Sequence, residues 1–212
     1  MLQQGIAEEV LRFHVLANSD SEEDQAVKYL VRDAVLSWIS EAMDENSSER
    51  YSPVHEISIL TETGENEMAR EENETQNESQ NGMSIAMDSR GDMLQFLTDN
   101  LSEIEGTANS VLEKQDVSYR AIAEITWSYF PDRTYGDCTF PAGWYQALRI
   151  CLGAAKGRNW WCLLYPSLCF TDALHAVVDE TSREKLEEVL TVEEYQSLLA
   201  SPGKWKIAFR WF

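Results

Sequence analysis

The chain has 212 residues, 43% of them hydrophobic, and its 17 Lys and Arg against 37 Asp and Glu give a formal net charge of −20. That balance argues against nucleic acid as a partner, since counterion release needs a basic face, and it disfavours docking on anionic lipid. No stretch approaches the roughly 18 apolar residues of a transmembrane helix, so direct membrane insertion is not expected. The opening MLQQGIAEEVLRF lacks the basic and apolar regions of a signal peptide, so the chain as given reads as cytosolic or already processed.

Residues 11–17, LRFHVLA, place Leu11, Phe13, Val15 and Ala17 on one face and predict a short strand. Ser21 is a good N-cap, and Glu22, Glu23 and Asp24 suit the first turn of a helix reaching about residue 43. Its apolar stripe is Val27, Leu30, Val31, Ala34, Val35 and Trp38. From 45 to 91 the chain carries eleven acidic residues against three basic ones and little to bury. Such a segment cannot offset its ordering entropy and reads as a mostly disordered acidic insert, with VHEISIL (54–60) as an isolated strand at most.

Order returns at 92, where Leu94, Leu97, Leu101, Ile104, Ala108 and Val111 step by three and four as one amphipathic helix. Residues 117–130 alternate as a strand, with Tyr119, Ala121, Ala123, Ile125, Trp127 and Tyr129 on one side. PDRTYGDCTFPAG (131–143) carries turn chemistry, and WYQALRICLG alternates again, so the two strands read as a hairpin with a long loop. Thr181 with Glu184 and Thr191 with Glu194 have capping-box spacing. The final KWKIAFRWF alternates as a closing strand. The expected fold is an α+β two-layer sandwich, a mostly antiparallel sheet with helices on one face, close to a split βαββαβ arrangement. All 212 residues form one domain interrupted by the insert.

Chemistry is sparse. The three histidines are His14, read as half-exposed in its strand, His55 in the insert, and His175. Cys138, Cys151, Cys162 and Cys169 lack the close pairs of a structural zinc site and the C-x-x-C of a redox motif. A bridge between Cys162 and Cys169 is sterically easy and worth roughly 2–3 kcal/mol by loop entropy. GAAKGRN lacks the spacing and the hydroxyl of a phosphate-binding loop. No catalytic residue, metal or cofactor is expected. A thiol or serine hydrolase would have to use Cys138, Cys162 or Ser167 with His14 or His175, and no local signature supports it.

Three stretches, RFHVLANSDSEEDQAVKYLVRDAV, FPAGWYQALRICLG and KGRNWWCLLYPSLCF, together closely resemble the stage II sporulation protein R family of spore-forming bacteria. The resemblance implies a secreted, extracytoplasmic signal made in the forespore. Its partner would be a membrane-embedded aspartic-type peptidase that processes the precursor of sporulation sigma factor E. In that oxidising space a Cys162–Cys169 disulfide would persist. Residues 159–170 would then form a stapled loop whose Asn159, Trp160, Trp161, Leu164, Tyr165 and Pro166, with Asn18, Ser19 and Asp20, offer the partner-binding surface. A structural interaction domain without signalling activity is the third class. Relative to the family pattern, the sequence as given is expected to have had its apolar export segment removed, its start misassigned or its copy diverged. The insert is long and acidic, and GAAKG and Pro166–Ser167 stand where a glycine-richer loop and a double proline are expected.

Overall fold

The computed structural model describes residues 2–48, 89–166 and 180–199. Helices α1 (Leu2–Glu9), α2 (Glu22–Ser48), α3 (Arg90–Asp99), α4 (Leu101–Lys114), α5 (Glu180–Val189) and α6 (Val192–Leu199) combine with six strands. The strands are β1 (Leu11–Leu16), β2 (Ala121–Phe130), β3 (Arg133–Tyr135), β4 (Cys138–Phe140), β5 (Gly143–Leu152) and β6 (Asn159–Tyr165). The main sheet has the order β2-β5-β1-β6, and β3 and β4 form a separate two-stranded ladder.

The expected α+β class holds. Two of the three pairings in the main sheet are antiparallel (β2 with β5, β1 with β6), while β1 and β5 at its centre run parallel. Three helices, α2, α3 and α4, separate β1 from β2, and no helix lies between β5 and β6, which sets the strand directions apart from a split βαββαβ unit. Residues 153–158 instead cross directly over the end of β1, the strand lying between β5 and β6.

One face of the sheet presents Leu11, Phe13, Val15, Ala121, Ala123, Leu148, Ile150 and Leu152 to Val27, Val31, Val35 and Ile39 of α2 and Leu97, Ile104 and Ala108 of α3 and α4. The helices expected over one face are these. The other face is not bare: Ile6, Ala7 and Val10, Phe140, and Leu186, Leu190 and Leu198 cover Phe130, Tyr145, Ala147 and Leu163. Arg183 forks onto Asp137 with both nitrogens at 2.9 Å and fastens α5 to the β3–β4 turn.

Several boundaries differ from expectation. Helix α1 was not expected; its eight residues gain a partner only from this second layer, burying Ile6 and Ala7. In α2, which runs on through residues 45–48, Leu30 faces solvent and the stripe is centred on Val27, Val31, Val35 and Ile39. The single helix expected from 92 is two. Asn100, at φ −106 and ψ 18, ends α3, its side-chain amide donating to Phe96 O at 2.8 Å. The long hairpin loop contains the β3–β4 ladder, turned at Gly136–Asp137 with Gly136 at φ 58. Helix α5 starts at Glu180, so Thr181 is not its cap, whereas Thr191 and Glu194 do form the expected capping box.

NWWCLLY is a strand, not a loop. It pairs antiparallel with β1 and is covered on both faces, so it lacks the polar alternation of a half-exposed strand. The rest of the insert (49–88), Ser167, Cys169, His175 and the expected closing strand lie outside the described residues.

Candidate functional site

The residues that carry the family resemblance meet at one end of the main sheet, where β1 stops and residues 153–158 cross above it. Each backbone N–H from Gly153 to Arg158 finds an acceptor. Gly153 donates to Arg120 O at 2.9 Å, Ala155 to Leu152 O at 3.0 Å, Lys156 to Asn18 O at 3.2 Å and Gly157 to Ala17 O at 2.9 Å. Ala154 donates to Asn18 Oδ1 at 2.9 Å and Arg158 to Asp20 Oδ1 at 2.7 Å. From α2, Lys28 Nζ reaches Arg158 O at 3.2 Å and Gln25 Oε1 at 2.6 Å. A crossing of this kind with all its amides paired is rigid by hydrogen bonding alone.

Asp24 is the hub of the clamp. It accepts from Asn18 Nδ2 at 2.9 Å, from Tyr119 Oη at 2.6 Å and from Ser19 Oγ. Its backbone N–H donates to Ser21 Oγ at 3.1 Å, the N-cap bond expected for α2. Burial alone would raise the Asp24 carboxyl, but the bonds from Ser19, Tyr119, Asn18 and Ser21 outweigh it and hold the group below the usual range. Burial, with Asp24 as hydrogen-bond partner, raises the Tyr119 phenol. Gly157 sits so close over Ser19 that a Cβ would strike the Ser19 carbonyl, and Gly153 has φ +56. The glycines of GAAKG thus serve close approach and a left-handed turn, with no phosphate needed to explain them.

The candidate residues divide by exposure. Asn18, Ser19 and Asp20 organise the loop, with only Asp20 largely in solvent. Asn159, Trp160 and Trp161 are half-buried, whereas Leu164, Tyr165 and Pro166 are buried. The tryptophans point to opposite faces. Trp160 meets Phe13 edge-on at 5.5 Å with the Arg32 guanidinium 5.1 Å from its ring centre. Trp161 stacks on His14 at 4.9 Å and meets Phe130 at 4.7 Å. What the clamp offers to solvent is Lys156 and Arg158 beside Asp20. Sequence reading missed those two cations, along with Lys28, Asp24 and Tyr119; the GRN stretch beside a polar cap was the available signal.

Below the clamp, β1 turns Arg12 and His14 into the second layer. Arg12 is fully buried, donating to Cys162 O and Tyr135 Oη, each at 3.1 Å, with its guanidinium carbon 4.4 Å from the Phe130 ring centre and 5.1 Å from that of Tyr145. His14, expected half-exposed, is 3% exposed because α1, α5 and α6 add the second layer. Its Nε2 is 3.2 Å from Ser128 Oγ. Burial, followed by Arg149 and Arg12, pushes the imidazole down to about 3. A base that weak, hydrogen-bonded to a buried serine, is unsuited to activating a nucleophile. Burial, then Asp137, pushes the Cys138 thiol up to about 11, the opposite of an activated nucleophile. Among the described residues no group of His, Cys, Asp and Glu is placed to hold a metal ion. The open depression between α1 and α6 is lined by Glu8, Glu193 and Glu194, with no histidine or thiol. No described helix is long and apolar enough to cross a membrane.

The chain is 30% identical over 191 residues to stage II sporulation protein R of Bacillus subtilis (strain 168), an alignment covering 87% of this chain and 67% of that protein. No solved structure matches it. The model of the stage II sporulation protein R family matches residues 7–90 and 72–175, which take in the clamp, the crossing loop and β6. The chain belongs to the stage II sporulation protein R family.

Proposed function

We propose that this protein is an extracytoplasmic signal in endospore formation that activates a membrane-embedded aspartic-type peptidase, leading to processing of the precursor of sporulation sigma factor E. The observation that carries this reading is the convergence of the family's motifs on a rigid, solvent-facing loop rather than on a reactive group. Asn18, Ser19, Asp20 and Asp24 spend their polar atoms on fixing residues 153–158. Lys156 and Arg158 then project as two cations from a chain of net charge −20. A preorganised loop loses little entropy on docking, which favours recognition. The contact surface comprises this loop, Asp20 and the exposed flanks of Asn159, Trp160 and Trp161, while Leu164, Tyr165 and Pro166 support it from beneath.

Cys162 pairs with Cys169 in this account. Cys138 and Cys151 are free, and the extracytoplasmic setting favours the oxidised pair. Alkylation of the unreduced, unfolded protein then labels Cys138 and Cys151 and spares the other two. Labelling of all four refutes the bridge.

The function is tested by co-expressing the chain, fused to an export signal, with the peptidase and the sigma-factor precursor. Precursor cleavage that depends on this protein supports the reading. A folded, exported protein that leaves the precursor intact overturns it.

A further inference from the structure

Among the described residues the strand β2 forms one edge of the main sheet, and its edge is treated differently along its length. Its pairing with β5 runs through ten residue pairs without a bulge, so the N–H and C=O groups of its odd-numbered residues face outward. At the start of the strand α4 plugs these groups. Ala121 N donates to Asn109 Oδ1 at 3.0 Å, Ala121 O accepts from Asn109 Nδ2 at 3.1 Å, and Ala123 N donates to Glu105 Oε2 at 2.9 Å. Past Ala123 no described group bonds the outward amides of Ile125, Trp127 and Tyr129.

The side chains follow the same division. Helix α4, with 14 residues, spans about 21 Å, while the ten residues of β2 span about 33 Å, so the helix ends before the strand does. On the uncovered length Trp127 is 51% exposed, Tyr129 55% and Trp144, opposite Tyr129 on β5, 60%. Tyr129 and Trp144 meet edge-on at 6.0 Å. Together they expose roughly 300–400 Å² of aromatic surface, the size of patch that marks interaction sites. Natural edges are blunted by lysine, proline or bulges, and Ile125–Tyr129 (ITWSY) has none of these and no charge.

We infer that the open half of the β2 edge, Ile125–Tyr129, with the Trp127, Tyr129 and Trp144 platform, docks an extended segment of a partner protein by strand addition. The segment carries alternating apolar side chains and is neutral or basic. Main-chain bonds to residues 125, 127 and 129 hold it, and its apolar side chains lie on the aromatic platform. Charge selects this occupant: an acidic segment, or a second copy of this chain, approaches a molecule of net charge −20 and is repelled. The inference goes beyond the signalling role and does not rest on it.

The test is amide hydrogen exchange on the whole protein with a short, end-capped peptide of alternating valine and lysine, and with its valine–glutamate counterpart. The valine–lysine peptide slows exchange at Ile125, Trp127 and Tyr129 by roughly tenfold or more, with Ala121 and Ala123 unaffected. The effect disappears in Trp127→Lys/Tyr129→Lys and weakens in Trp144→Ser, which leaves the edge intact. No slowing at millimolar peptide, or equal slowing by both peptides, overturns the inference. Peptide-independent protection that rises with protein concentration assigns the edge to a second copy. Protection that vanishes on deleting residues 200–212 assigns it to the chain's own end. Either result also overturns the inference.

Discussion

His14 and Arg12 carry the clearest consequences at the scale of single residues. The folded imidazole titrates at about 3 against an ordinary 6.5. Between those values the unfolded chain binds a proton that the folded chain refuses. This contribution to stability is therefore complete above pH 6.5 and falls as pH drops towards 3. Relative to a His14→Gln variant, the protein should lose on the order of 2 kcal/mol more stability between pH 7 and pH 5, read from urea midpoints. Equal losses would mean that His14 is hydrated. Arg12 has no carboxylate partner among its described contacts, and burial lowers its pKa. Its box of rings suits a flat, weakly hydrated cation. Arg12→Lys should therefore destabilise more than Arg12→Met, which fills the same space without a charge to desolvate. Neither residue's burial was legible from β1, because alternation places two side chains on a second face without saying what covers it. Of the covering helices, α1 directly precedes β1, whereas α5 and α6 come from a distant part of the chain.

Among the elements, the crossing loop depends on close backbone approach, and two glycines separate that requirement from ordinary helix propensity. Gly157→Ala drives a methyl into the Ser19 carbonyl, a backbone atom that cannot step aside, and should cost roughly 2 kcal/mol or more. Gly106 lies inside α4 with open space around it, so Gly106→Ala should add roughly 0.5–1 kcal/mol. Denaturant midpoints for the two variants must move in opposite directions. A neutral Gly157→Ala would mean that the loop is not held against β1. The sequence was readable here where chemistry is local: Ser21 caps α2 and Thr191 with Glu194 caps α6 as their spacing indicates. It misled where burial is two-sided. NWWCLLY has strand composition, but its paired tryptophans, two nearby cysteines and following proline read as a stapled loop until β1 and both layers are in place.

For the whole molecule, the strand order β2-β5-β1-β6 unites motifs scattered over more than a hundred residues. The end of β1, the loop after β5 and the start of β6 become one surface because β1 lies between the other two strands. The resemblance rests on three separate segments that the fold brings together. It did not show that the ANSD block grips the loop before NWW, since that follows from topology rather than from either motif. The grip leaves Lys156 and Arg158 exposed, and the Arg158–Asp20 ion pair is solvated, with side chains 72% and 65% exposed. Such a pair contributes little to stability. The central claim, that the clamp exists to present this loop to the peptidase, is tested most directly by the Lys156→Ala/Arg158→Ala variant in the precursor-cleavage assay. The account predicts wild-type folding and export with cleavage reduced at least about tenfold. Wild-type cleavage by a properly exported variant would contradict it.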